Sequence, residues 1–520
     1  MNATRRRATA LAAAAALATP LLLAAAPASA QHPTAAGKDP AKEAAKLARQ
    51  LVKGAKAEDA YKHLRRFQAI ADSAGGHRSA GSLGHDASAA YVYSVLKKAG
   101  YDVSYQTFQF TYIETLAEKL RVTSGTPRDL TVRAMSYTKS TPTGGINASL
   151  AVVPADATTG CEASDYASGT FTGKIALIKR GGCDFALKQA TAAAAGAVGA
   201  VIYNNVPGAL NGTLGSPEAG KLPTGGITLA DGEALVAEAA QGEVKLNLEI
   251  RQLQELRTTR NVIAETKGGR SDRTVMLGSH LDSVTAGPGI NDNGSGSAGL
   301  LEVAQELAKS KAKPANKVRF AWWSAEELGL LGSEHYVAQL TEAQRKDVKL
   351  YLNFDMIASP NYGQFVYDGD DSDGTGAGPG PEGSAQLERD INTFLDSRKQ
   401  PHEGTDFSGR SDYGPFIEVG IPSGGTFTGA EGIMTAAQAE KFGGQAGVAY
   451  DKCYHAKCDD LGNINMKAFD VNVDVIANAV GTYAHDLSSL TKPVVSKPTV
   501  GGDTGGGGLH GDHAHDGVRS

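Results

Sequence analysis

The chain has 520 residues and a formal net charge of −5, and its charged residues, 21% of the total, are scattered along it. That length suits two or three domains. No long basic face emerges, which excludes nucleic acid as an expected partner.

The N-terminus reads as an address rather than as part of a fold. Arg5, Arg6 and Arg7 precede an Ala/Leu-rich run over residues 8–26, and Ala28-Ser29-Ala30 makes a small-x-small cleavage pattern. The expectation is a signal peptide over 1–30 and a secreted, extracellular protein. A membrane anchor is disfavoured by Pro20 and Pro27. No later stretch is long and apolar enough to span a bilayer, so no membrane partner is expected. Residues 31–55 are Ala/Lys-rich and read as a propeptide or loose lead-in.

A first catalytic segment is expected over 56–124. Between residues 61 and 71, Leu64, Phe67 and Ile70 share one helical face. Tyr91, Val92, Val95 and Leu96 predict a second amphipathic helix, ended by Gly100. "YDVSYQTFQF" then alternates as a strand does. Over 125–255 the texture turns to dense Ala and Gly. "TGKIALIKRGGCDFALKQATAAAAGAVGAVIYNN" predicts a strand at 175–179, a turn at Gly181-Gly182, a helix at 185–195 and a strand at 200–203. This β-α-β unit has the look of a separate inserted domain.

Over 256–490 strands and helices alternate. "NVIAET", "TVMLG", "VRFAWW" and "LYLNFDM" are apolar runs suited to buried strands, and "SAGLLEVAQELAK" carries a helical face. The pattern predicts an α/β fold, a mixed sheet sandwiched by helices. Residues 491–520 are Gly/Pro-rich and read as a disordered tail. Four cysteines in an exported chain suggest two disulfides, and pairing Cys161 with Cys183 and Cys453 with Cys458 is the simplest of three connectivities.

The polar residues at the ends of those strands carry the chemistry. His280 follows "TVMLG", Glu326 and Glu327 follow "VRFAWW", and Asp355 follows "LYLNF". Asp292 sits in the glycine-rich loop "GINDNGSGSAG", and His455 lies between Cys453 and Cys458. In α/β sheets ligand sites form beyond the carboxyl ends of strands, so these side chains can converge at one rim. Two histidines and three carboxylates suit zinc. Three carboxylate charges and one shared solvent anion balance two dications. Glu326 is then free as a base, and Asp282 is free to orient His280.

Each residue also has a plainer reading. Ser324-x-x-Glu327 is a capping box. Asp292-Asn293-Gly294 is a turn signal. Asp355 could be a surface carboxylate, His280 a satisfied histidine at a strand end, and His455 part of a Cys-His-Cys zinc knuckle.

The segments "GSHLDSVTAGPGINDNGSGSAG", "RFAWWSAEELGLLGS", "LNFDMIASPN", "GRSDYGPF" and "CYHAKCDDLGNIN" closely resemble the M28 dizinc aminopeptidases, the secreted Streptomyces type in particular. The likeness covers residues 60–122 and 255–487, with every segment in order. It implies one zinc on His280, Asp292 and Asp355, and a second on Asp292, Glu327 and His455, with Asp292 bridging. It also implies Glu326 as general base, Tyr454 as a stabiliser of the tetrahedral intermediate, and Arg410 in a segment near which the substrate amine is held. A non-proline cis peptide is implied at Asp292–Asn293. Asp470 and Asp474 match part of a calcium site, while the stretch around Gly54 offers no aspartate in register.

The stretch from "GKIALIKRGGCDF" to "AGAVGAVIYNN" resembles a protease-associated (PA) domain, whose usual proposed role is to cover the site and select substrates. The activity so implied is hydrolysis at the N-termini of peptides or proteins, with bulky apolar first residues. Tyr413, Phe416 and Phe427 are candidate pocket walls, and a monomer is expected. The rival readings are a receptor-like binding module of the same architecture, and a carboxypeptidase or glutaminyl cyclase relative.

Overall fold

The computed structural model describes residues 39–376 and 378–494. The expected signal peptide, the first residues of the 31–55 segment and most of the expected tail lie outside them.

The core is built on one mixed sheet. Four strands run parallel at its centre, in the spatial order Ser423–Phe427, Val348–Phe354, Arg270–His280 and Asn316–Trp323. On one side Lys245–Glu265 and then Asp102–Val122 continue the sheet antiparallel. On the other, Phe365–Tyr367 pairs antiparallel with Ser423–Phe427, and Glu403–Thr405 pairs parallel with Phe365–Tyr367.

Both faces of the central strands are covered, which is why they read as continuous apolar runs. Alternate residues point to opposite faces. Val275, Leu277, Val318, Phe320, Trp322, Leu350, Leu352 and Phe354 pack against one layer of helices. Met276, Ala321, Trp323 and Tyr351 pack against Tyr336, Val337 and Phe416 on the other face. Each large apolar side chain buried in this way contributes about 1.5–3 kcal/mol.

The helix expected near residues 61–71 spans Ala57–Ser73. The next spans Leu83–Ala99 and stops at Gly100, whose φ of 95° is the left-handed cap that glycine adopts without a Cβ penalty. Residues 40–54 correct the expectation of a loose lead-in. Pro40–Gly54 is a helix that buries Ala44, Leu47, Ala48 and Leu51. It lies on the long helix Met466–Tyr483 so closely that a Cβ at Gly481 would fall 2.3 Å from the Cα of Ala48.

Asp102–Val122 and Lys245–Glu265 are each 21 residues long and pair over nearly their full length, with a bulge between Thr115 and Ala117. At about 3.3 Å per residue such a ribbon reaches roughly 70 Å. Its near end belongs to the catalytic sheet. Its far end pairs with Ile146–Val152 and opens a second sheet with Ile175–Lys179, Gly199–Tyr203 and Thr224–Ile227 in parallel. Helices Phe185–Ala194 and Leu229–Gln241 cover it. Disulfides join Cys161 to Cys183 and Cys453 to Cys458.

Candidate active site

Parallel strands end at a common rim, and the polar residues met there in sequence come together. His280 is the last residue of its strand, and Asp355 follows Phe354 directly. Glu326 and Glu327 stand on a loop after Trp323 that does not become a helix until Leu331. Ser324 therefore caps nothing. Its amide donates to Asn261 and its hydroxyl meets that of Thr259 at 2.6 Å. The capping-box reading is excluded on that ground.

The loop bearing Asp292 is pinned from three sides. The amides of Asn291 and Asp292 donate to the Asp459 carboxylate at 2.8 and 3.0 Å. Asn293 donates to the Phe354 carbonyl at 3.0 Å and accepts from the amides of Gly296 and Met356. The Asp292–Asn293 peptide is cis. At Gly296 a Cβ would lie 2.1 Å from the Phe354 carbonyl oxygen, so only glycine lets the loop close on the strand end. Ala325, Met356 and His455 have φ between 48° and 59°, a left-handed backbone that costs non-glycine residues energy and clusters at functional sites.

The resulting geometry is compact. His280 Nε2 lies 3.3 Å from Asp292 Oδ1, 3.3 Å from Asp355 Oδ1 and 3.8 Å from Glu326 Oε2. His455 Nε2 lies 3.2 Å from Asp292 Oδ2 and 2.9 Å from Glu327 Oε2. Asp292 thus offers one oxygen to each histidine. Ligand atoms of His280, Asp292 and Glu327 fall within 4.8 Å of one another, as do those of His280, Glu326 and Asp355. His455 is the exposed member, with 41% of its side chain accessible, so the cluster opens to solvent on that side.

The residues around the cluster orient it. Asp282 Oδ1 lies 3.7 Å from His280 Nδ1 and accepts from the Glu326 amide at 3.3 Å. Ser411 donates to Asp355 Oδ2 at 2.7 Å. Arg410 donates through Nη1 to Glu431 at 2.9 Å and through Nη2 to the Tyr454 hydroxyl at 3.1 Å. Asp474, which matches part of a calcium site, is paired with the Arg398 guanidinium, and Asp470 one turn earlier is exposed.

Electrostatics mark the cluster as a place for positive charge. Burial alone would lower both histidines. For His280 the surrounding Glu326 and Asp355 carboxylates reverse this and raise it well above its ordinary value. For His455, Glu327 and Asp292 push it up to about 11. Burial and then Asp292 push Glu327 up to about 7, and burial likewise raises Glu326 well above the carboxylate range. His280 Nε2, Asp355 Oδ1 and Glu327 Oε1 are buried without a hydrogen-bond partner. Buried polar atoms normally have partners, and cations held within the cluster would supply them. The donor set of imidazole nitrogen and carboxylate oxygen fits a borderline divalent metal.

A cavity of about 100 Å³ adjoins the cluster. Asp292, Glu326, Glu327, Asp355 and His455 form one wall, and Met356, Tyr413, Phe427 and Ala430 line the apolar part. Phe416 does not line it. It is fully buried beneath the sheet, stacked on Tyr351 at 3.9 Å between centroids, which corrects its expected place in the pocket.

Sequence reasoning passed over several supporting residues. Asp459, Ser411 and Asp412 stand inside quoted motifs beside the more conspicuous ligand candidates. Arg78 stands in none. It is fully buried, and its guanidinium donates to the carbonyls of Leu281, Pro288 and Gly289 behind the cluster. Burial lowers it to about 10, against the pull of Asp282, Asp459, Asp292 and Glu327. It therefore stays charged.

Comparison with known proteins agrees with this geometry. Peptidase family M28 matches residues 261–480, and the PA domain matches residues 146–235. A leucine aminopeptidase 2 of Arthroderma otae is 47% identical over 442 residues, covering 84% of this chain and 86% of its own. The solved aminopeptidase from Aneurinibacillus sp. strain AM-1 has 29% identity and a TM-score of 0.65, over 83% of this chain and 95% of that one. The Bacillus subtilis zinc aminopeptidase BSAP has 28% identity and a TM-score of 0.56, over 82% and 94%. Sheet, rim cluster and relatives together define a metallo-aminopeptidase. The chain belongs to peptidase family M28, with a PA domain inserted ahead of its metal-bearing core.

Proposed function

We propose that the protein is exported and releases bulky apolar residues, leucine among them, from the N-termini of peptides, using two zinc ions. The observation that carries this reading is Asp292, whose two oxygens face two different histidines across a set of unpartnered buried ligand atoms. One ion would be held by His280, Asp292 and Asp355, the other by Asp292, Glu327 and His455. Bound there, zinc would supply Lewis acidity and an activated water at neutral pH.

The chain's own residues do the rest. Glu326 is the general base: it is buried in the cavity wall with its Oε2 3.8 Å from His280 Nε2, and burial raises its proton affinity. It takes the proton from the attacking water and passes it to the leaving amine. Asp282 orients His280. The Tyr454 hydroxyl donates to the substrate carbonyl oxygen as negative charge develops there. The carboxylates of the cavity wall attract a free ammonium group, which places the scissile bond one residue from the N-terminus. Met356, Tyr413 and Phe427 receive the first side chain.

Residues 1–30 are read as the export signal, the PA insertion as a restriction on access, and the working unit as a monomer. A calcium ion at Asp474 would have to displace the Arg398 guanidinium. The test is metal analysis combined with a panel of amino-acid anilides. Two zinc ions per chain and release from leucine anilide but not from its N-acetyl form are expected. Equal turnover of the acetylated substrate would remove the amine-docking step, and a metal-free active protein would remove the whole reading.

A further inference from the structure

We propose that Arg410 is a positioning residue for Tyr454, fixing the direction in which the phenol presents its proton. The inference deepens the reading above, in which Tyr454 donates to the substrate carbonyl.

The Tyr454 ring is held from its base. The residue follows Cys453 in the short Cys453–Cys458 loop, and its ring stacks on the His455 imidazole at 3.9 Å and 22°. Stacking fixes the ring plane and leaves the O–H bond free to point either way within it. Arg410 removes that freedom. A guanidinium has donors only, whereas a phenol can both donate and accept. The 3.1 Å contact from Arg410 Nη2 therefore makes the Tyr454 oxygen the acceptor. The phenol proton must take the other in-plane direction. Tyr454 lines the cavity beside Asp292, Glu327 and His455, and we take that direction to be the one facing the substrate carbonyl.

Arg410 is itself braced. Its other arm donates to Glu431 Oε1 at 2.9 Å. The Arg410 and Glu431 side chains are 37% and 33% exposed, and an ion pair so open to water contributes little to stability. Its consequence is geometric: a fork held at one tine by Glu431 places the other on the phenol. Lysine, a single rotatable ammonium, reproduces the charge but not the fork.

The experiment is a double-mutant cycle on the zinc-loaded full chain with leucine p-nitroanilide, each variant checked for Tm and zinc content. Arg410→Met is expected to lower kcat roughly 10- to 100-fold, the scale of a small misplacement of a catalytic group, with KM within about twofold. In the Tyr454→Phe background the same change should move kcat less than about twofold, because the group it positions is gone. Glu431→Gln should lower kcat more mildly, and Arg410→Lys should recover part of the loss. Equal loss of kcat in both backgrounds overturns the inference, as does a raised KM with kcat intact, which would make Arg410 a substrate contact. If Tyr454→Phe costs kcat while Arg410→Met does not, the inference alone fails. If Tyr454→Phe leaves kcat unchanged, the donor role of Tyr454 fails with it. Should Arg410→Met lose its fold, Arg410→Lys and Glu431→Gln carry the same cycle.

Discussion

Replacing Arg78 with methionine should unseat the loop that runs from His280 to Asp292. The guanidinium is fully buried and bonds three carbonyls, those of Leu281, Pro288 and Gly289, and it lies 5.1 Å from the Phe67 ring centre. Methionine fills similar volume but can donate to none of the carbonyls. A buried group left unpaired costs about 1–3 kcal/mol, so three cost roughly 3–9. Water entering beside the shorter side chain recovers part of this. We therefore expect a loss of about 3–5 kcal/mol, the usual cost of removing one buried charge from its partners. With an m-value near 3 kcal/mol/M for a domain of this size, the urea midpoint should fall by roughly 1–1.7 M. Trp322 and Trp323 lie in the strand beside His280, so tryptophan fluorescence of the chelator-treated protein reports on this domain directly. Arg78→Lys, which keeps the charge and one or two donors, should lie between. A midpoint shift below about 0.3 M for Arg78→Met would show that the three carbonyl contacts do not hold the loop.

Glu326→Gln should keep fold and zinc while lowering kcat by roughly 10²–10⁴, the range for a lost general base; steady-state kinetics at matched zinc content check this, and near-normal turnover removes Glu326 from the role. Zinc uptake by metal-free protein at pH 8 should release about one proton or more, because carboxylate neighbours push His455 up to about 11 and raise His280 well above its ordinary value, and metals bind only the neutral ring. Zinc affinity should accordingly weaken as pH falls. Calorimetry in buffers of different ionisation enthalpy counts the protons, and a value near zero would refute the charge assignment. Ser411→Ala removes the donor that orients Asp355 and should weaken zinc binding about 10- to 100-fold, as such supporting contacts do. Competition with a chromogenic chelator measures it, and unchanged affinity would dismiss the contact.

The central sheet was legible because burial on both faces leaves few polar residues within a strand, and the ones that end it are conspicuous. His280, Glu326, Glu327 and Asp355 all declare themselves in that way. Asp292 and His455 carry weaker local signals, since glycine-rich loops and cysteine clips have many uses. The helix Pro40–Gly54 went unread although Ala44, Leu47, Ala48 and Leu51 keep helical spacing; alanine buries too little surface to stand out among lysines. Much of the strand Lys245–Glu265 is polar, in "RQLQELRTTRN", because residues 251–258 are only half-buried or exposed. Arg78 was invisible for a different reason. Its partners lie more than 200 positions away, and no local pattern records a contact of that span.

The ribbon has a further consequence. Asp102 pairs with Glu265 at one end and Val122 with Leu246 at the other, so the chain leaves the catalytic sheet and returns to it through neighbouring positions. To that sheet the entire excursion is a hairpin whose tip has swollen into a folded body. Exchanging that body for another, or trimming it to a tight reversal, leaves the strands bearing His280 and Asp355 in their places. Such a stalk uncouples changes in the inserted body from the rim cluster.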